Sequence, residues 1–140
     1  MPGAKAFIDT NVLLYLLSAD ARKADTAESI FQTGPVISVQ VLNETANVAR
    51  RKLNMSWAEI HEFLELIRSL CPTEPITVET HDTGLAIAQQ YTLSVYDGMI
   101  VAAALLAECE ILYSEGMQDG LVIEQQLRIV NPFHIDSTLE

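Results

Sequence analysis

Lys5 to Leu17 reads KAFIDTNVLLYLL, an apolar run broken once, by Asp9-Thr10-Asn11. Lys5 to Ile8 has the character of a short buried strand, and Asn11 to Leu17 that of the helix after it, with Asn11 competent to cap it. Asp9 then falls at the carboxyl end of a strand. In open parallel α/β sheets that edge is where ligands bind, because strand ends and helix N-termini converge there. A carboxylate set into so apolar a run needs a partner, and the neighbouring sequence offers no cation but Lys5, at the far end of the strand. A metal ion is one answer. The ordinary alternative is that Asp9 and Asn11 only shape the turn and cap the helix.

The length of 140 residues and a hydrophobic content of 49% suit one domain with a substantial core, expected over residues 1–135, with 136–140 as a flexible tail. The opening Met-Pro-Gly-Ala-Lys lacks the apolar core of a signal peptide, and no run is long enough to span a bilayer. The expectation is a cytoplasmic protein without membrane contact. Cys71 and Cys109 lack metal-ligand spacing and read as small core residues. A formal net charge of −11 argues against a general nucleic-acid-binding surface, since phosphate affinity comes mainly from Lys and Arg. It does not exclude an enzyme acting on nucleic acid, because divalent cations over a pocket of acids reverse the local field. Arg50-Arg51-Lys52, three cations in a row, also fits a solvated helix end complementing the helix dipole.

Further along, Ala19-Asp20 opens a helix that Gly34-Pro35 ends, and Val36-Ile37-Ser38 is a second strand. The helical pattern from Val39 to Leu53 puts Glu44 in its second turn, bordering the apolar face formed by Val41 and Val48. Ser56 to Glu59 has capping-box spacing, followed by a stripe of Trp57, Ile60, Phe63, Leu64 and Ile67 that predicts a helix ending near Cys71-Pro72. Glu74 to Thr77 can give only a short strand, because Pro75 lacks an N–H, and Thr80 is expected to cap the helix after it. His61, His81 and His134 are scattered, which argues against zinc and against paired-histidine ribonuclease chemistry. SVYDGMIVAAALL, Ser94 to Leu106, places Asp97 at the entrance of a helix apolar all round, which must be buried. Gly98 in its first turn costs about 1 kcal/mol relative to Ala and suggests a close backbone approach. Glu110 to Ser114 is a fourth strand, Asp119-Gly120 a turn, and Arg128 to Asn131 a last strand stopped by Pro132.

Each acid has a bland explanation by itself, but Asp9, Glu44, Asp97 and the Glu115 to Asp119 segment all fall at strand ends or early in helices. In a parallel sheet with right-handed crossovers those positions share one edge. Carboxylates gathered there repel unless cations hold them. Oxygen ligands without Cys or His favour Mg²⁺ or Mn²⁺, and the chemistry this serves best is phosphodiester hydrolysis.

Four motifs in order, FIDTNVLLY at Phe7 to Tyr15, SVQVLNE at Ser38 to Glu44, YDGMIVAAA at Tyr96 to Ala104 and LYSEGMQDG at Leu112 to Gly120, make the sequence resemble the PIN-domain ribonucleases, and within them the VapC toxins of toxin–antitoxin pairs. The resemblance implies a three-layer α/β/α fold around a central, mostly parallel sheet of four to five strands. It implies a Mg²⁺- or Mn²⁺-dependent endoribonuclease leaving 5′-phosphate and 3′-hydroxyl ends, a homodimer, and a cognate antitoxin that inhibits it. It carries Asp9, Glu44 and Asp97 over as the acids of the site, with Asn11 and Ser114 as polar positions beside them. One position departs: where the family commonly has Asp two residues after the Ser or Thr of the fourth strand, this chain has Gly116. Glu115 is adjacent but expected to point elsewhere, and Asp119 is a substitute ligand, direct or through water. The expectation is the nuclease fold with weakened metal binding; the alternative is a catalytically inactive module that binds antitoxin or RNA. A receiver domain would need a second acid beside Asp9 and a later Lys, and an Asp-x-Asp phosphatase would need Asp where Asn11 stands.

Overall fold

The computed structural model describes residues 4–133, so His134 and the expected tail at 136–140 lie outside the described residues. Strand β1 (Ala6–Ile8) is followed at once by α1 (Thr10–Leu13), which tightens into a 3₁₀ turn over Leu14–Leu17. The cap of α1 is Asp9, whose carboxylate accepts the Thr10 N–H at 2.7 Å; Asn11, expected to be the cap, lies inside the helix. The strand runs one residue short of the turn, so the first exposed N–H meets the acid and not the amide. Helix α2 (Ala21–Phe31) is capped by Asp20, β2 (Ile37–Ser38) follows, and Ser38 caps α3 (Val39–Arg51).

Helix α4 (Trp57–Leu70) has the expected capping box, Ser56 with Glu59. Ile60 and Ile67 of its stripe are buried, but Trp57 is 59% exposed. As the first helical residue it faces out, and the Arg50 guanidinium lies 4.9 Å from its ring centroid. Strand β3 (Thr73–Glu74) ends before Pro75, earlier than expected, because Pro75 has no N–H to give the ladder. Thr77, not Thr80, caps α5 (Val78–Tyr91); Thr80 reciprocates from the third helical position, its hydroxyl accepting the Thr77 N–H at 3.0 Å. Thr92 ends α5 in the left-handed conformation, and Ser94 caps α6 (Val95–Leu106).

Strands β4 (Ile111–Tyr113), β5 (Val122–Ile123) and β6 (Leu127–Val130) complete the fold. The sheet runs β1-β4-β6-β5, with β1-β4 and β4-β6 parallel and β5-β6 antiparallel. The parallel pair β2-β3 extends it past β1, where Val36 bridges Phe7 and Val36 and Ile8 exchange backbone bonds with β1 and each other at 2.8 and 3.1 Å. The core, including Phe7, Ile8, Ile37, Leu112 and Ile129, lies against this mostly parallel sheet, with helices flanking it in three layers.

Two features aim the site. From β1 the chain winds one way to β2 and β3, then the other way to β4 and β6, so the order reverses between β1 and β4. The carboxyl ends at such a reversal leave a crevice that no crossover covers. The second is the crossing of α5 and α6. A Cβ on Gly98 would stand 2.5 Å from the Gly84 carbonyl oxygen and 3.0 Å from the Ala88 Cβ. This is the close approach expected from a glycine in the first turn of a buried helix, and it fixes where Asp97 is carried.

Candidate metal centre

Asp9 occupies the reversal point itself. Its N–H donates to the Tyr113 carbonyl at 2.9 Å, and its Oδ2 accepts the Ser114 hydroxyl at 2.9 Å, joining the end of β1 to the end of β4. With Oδ1 on the Thr10 N–H, both oxygens are held in place. The side chain is buried, at 5% exposure, and its pKa is pushed from the ordinary 3.8 up to about 6. Burial is the main cause; the Ser114 and Thr10 donors oppose it, and the charges of Asp97 and Glu44 add to it.

Those two acids line the same cavity of about 320 Å³, together with Thr10, Asn11, Leu14, Asn47 and Val48. Glu44 is half-buried on α3; its Oε1 accepts the Thr10 hydroxyl at 2.7 Å and its Oε2 the Gln40 amide at 3.1 Å. Asp97 is the third residue of α6. Capping falls to Ser94, whose hydroxyl accepts the Asp97 N–H at 3.1 Å, so the Asp97 carboxylate is not needed at the helix end. Its pKa is raised, first by burial and also by Glu44, with Ser94 partly opposing.

Three expected residues thus meet at one cavity, each from a different segment of the chain. Asp119 is not among its lining residues: it is exposed, and its Oδ1 accepts the Asn131 N–H at 2.8 Å. Glu115 points elsewhere, as expected. Its carboxylate accepts the Tyr15 hydroxyl at 2.8 Å and pairs with Lys23 at 3.2 Å. Lys23 is held in its charged form first by Tyr15, which it reaches at 3.1 Å, and then by Glu115. The Glu115 N–H turns inward and donates to Asn11 Oδ1 at 3.1 Å. Asn47 was not singled out in the sequence; it lies three residues beyond Glu44 on α3, and that spacing is the one signal that marks it. Lys23 and Tyr15 carried no signal, since their pairing with Glu115 is made only by the fold.

The donor set suits a hard divalent cation, being carboxylate oxygen without thiolate or imidazole. Among the described residues no three acids, histidines or cysteines are drawn together into a ready ligand cluster. No helix among the described residues is long and apolar enough to cross a membrane.

No curated protein matches the chain in sequence. Among solved structures, one from a toxin–antitoxin complex of Klebsiella pneumoniae is similar, with TM-score 0.69 and 22% identity over 91% of this chain and 98% of that one. VapC20 of Mycobacterium tuberculosis, described as a sarcin-ricin loop cleaving toxin, gives 0.61 and 19% over 79% and 88%. FitAcB from Neisseria gonorrhoeae gives 0.61 and 14% over 92% and 99%. At these identities the likeness is one of fold. The family model for the PIN domain matches residues 6–118, a span that contains Asp9, Glu44 and Asp97 and both strands of the reversal point, and the chain belongs to the PIN-domain family.

Proposed function

We propose that this protein is a Mg²⁺- or Mn²⁺-dependent endoribonuclease, the toxin of a toxin–antitoxin pair. The observation that carries the reading is the buried Asp9 at the β1–β4 reversal point, sharing one cavity with Glu44 and Asp97. In this reading the three acids hold the ion, and Asp119, which lies outside the cavity with its Oδ1 on the Asn131 N–H, is not one of its ligands. A divalent cation bound there would lower the pKa of a water molecule and offset the charge that grows on the phosphate. The protein's own groups prepare the place: Thr10 and Ser114 fix both Asp9 oxygens, and Thr10 and Gln40 fix those of Glu44. Single-stranded or looped RNA fits a site of this kind better than a duplex, since its strand can enter a cavity without opening base pairs.

Gly116 stands where the resemblance expects a further acid, and Glu115 is committed to Tyr15 and Lys23. The site therefore works with three acids, and its activity is attenuated. The similar structures named above include one from a toxin–antitoxin complex and a toxin described as cleaving the sarcin-ricin loop, which supports RNA as substrate and an antitoxin as partner. We extend the reading to a homodimer acting in the cytoplasm. The second reading, an inactive module that retains the binding role, draws on the same missing acid.

The test is cleavage of total RNA with Mn²⁺. The nuclease reading expects cleavage that EDTA and Asp9→Asn abolish and that Gly116→Asp increases. Cleavage only by the Gly116→Asp form would favour the binding module. Cleavage by neither would overturn the metal-site reading.

A further inference from the structure

The cavity contains three acids and no lysine or arginine, yet under the nuclease reading, on which this inference rests, an anionic phosphodiester must settle beside them. A bound cation faces only part of that phosphate. The remaining oxygens need neutral donors, and the lining offers few: the Thr10 hydroxyl already donates to Glu44, and Asn47 is exposed at the rim. Asn11 is different, because the fold fixes which way round its amide sits.

A backbone N–H can only donate, so the end of Asn11 that receives the Glu115 N–H at 3.1 Å must be the carbonyl Oδ1. The NH₂ end is thereby turned to Gly116, where a Cβ would lie 3.1 Å from Nδ2. That is tighter than ordinary contact, so any side chain at 116 would press on the amide. Among the described residues no acceptor takes Nδ2. Glu115 is itself anchored at both carboxylate oxygens, the Tyr15 ring meets Phe133 edge-on, and the Lys23 ammonium lies 4.8 and 5.3 Å from the centroids of the two rings. Aromatic packing, an ion pair and a backbone bond converge on the orientation of one amide.

We propose that Asn11 is a phosphate-binding donor of this site, presenting Nδ2 to a non-bridging oxygen of the substrate, and that Glu115, anchored by Tyr15 and Lys23, positions it. Gly116 is then more than a lost acid. Its bare Cα leaves room for the donor, so Gly116→Asp should raise cleavage through metal occupancy while weakening monophosphate binding as Gly116→Ala does.

The probe is adenosine 5′-monophosphate with Mg²⁺, titrated into the full chain while the side-chain amide resonances of Asn11 are followed by NMR. The expected result is a shift of the Asn11 NH₂ signals on binding. Asn11→Asp keeps the acceptor for Glu115, removes the donor and adds a negative charge; Gly116→Ala changes no charge and displaces Nδ2, so it separates the loss of the donor from charge repulsion. Each should weaken binding at least tenfold with the thermal midpoint little changed. Glu115→Ala should broaden the Asn11 signals and weaken binding severalfold, and Glu115→Gln, which still accepts from Tyr15, should restore both. Binding that leaves the Asn11 signals unmoved, equal affinity in Gly116→Ala, or no binding to the unaltered chain would each overturn the assignment. Failure of the nuclease reading would show separately, as absence of RNA cleavage by the unaltered chain with Mn²⁺, whatever the monophosphate does.

Discussion

Asp9→Asn should make the metal-free protein more stable while removing its activity. A carboxyl raised from its ordinary 3.8 to about 6 favours the protonated form in the folded state, so at neutral pH the ionised group works against folding. The full penalty corresponds to ~3 kcal/mol, present above the folded pKa and lost as the pH falls from ~6 towards ~4. Asparagine keeps the local bonds: its Oδ1 accepts the Thr10 N–H and its Nδ2 donates to the Ser114 oxygen, in place of the present 2.7 and 2.9 Å contacts. It removes the charge that Asp97 and Glu44 oppose. Because a buried amide is still polar, the expected gain is about 1–3 kcal/mol at pH ~7.5, shrinking to roughly half at pH ~5. In a domain of this size that is a midpoint rise of roughly 4–12 °C. The assay is urea and thermal unfolding of both forms in EDTA at the two pH values, then with Mn²⁺. Saturating Mn²⁺ should reverse the order, because a ligand that binds only the folded state stabilises the form with the better site. A variant less stable than its parent in EDTA at pH ~7.5, or a difference that does not change with pH, would refute the reasoning.

Gly98→Ala should destabilise by about 1–3 kcal/mol, because the new methyl meets the Gly84 carbonyl at 2.5 Å; urea unfolding measures it, and a neutral result would show that the helix pair can part without strain. The same variant should lower Mn²⁺ affinity, since α6 carries Asp97 into the cavity. Gln125→Gly should stabilise by up to about 1 kcal/mol, because Gln125 holds φ +57 in the turn between β5 and β6, a conformation that glycine adopts without a Cβ clash. An unchanged or lower unfolding midpoint would argue that glycine's extra freedom in the unfolded chain outweighs the relief.

Much of this architecture could be read before the structure. Alternation between short apolar runs and helical stripes gave the α/β class, and the run at Phe7 to Leu17 placed Asp9 at a strand end. The all-apolar pattern of Ser94 to Leu106 marked a buried helix, and Gly98 in it marked a close crossing. The capping residues were less legible. Asn11, Thr80 and Asp97 are all competent caps, and which residue caps depends on where the strand or loop before it stops, a matter of one or two residues. Strand β5 escaped notice because Val122-Ile123 is too short to show alternation and is defined only by pairing with Leu127 and Arg128. At the site, Asp9, Glu44 and Asp97 were recognisable as acids at comparable places. The bonds of Glu115 to Tyr15 and Lys23 were not, because they join residues 100 and 92 positions apart, and nothing local distinguishes this glutamate from one facing water.

The bond from Ser114 to Asp9 also has a meaning in time. It spans 105 residues, and β4, which supplies Ser114 and the carbonyl that receives the Asp9 N–H, is flanked by β1 and by β6 near the end of the described chain. During synthesis the amino-terminal acid leaves the ribosome long before the strand that fixes it. Until β4 is inserted, Asp9 lacks the Ser114 hydroxyl and the Tyr113 carbonyl, and the crevice has only one wall. Whatever chemistry the crevice performs is therefore withheld from the growing chain until β4 has joined β1.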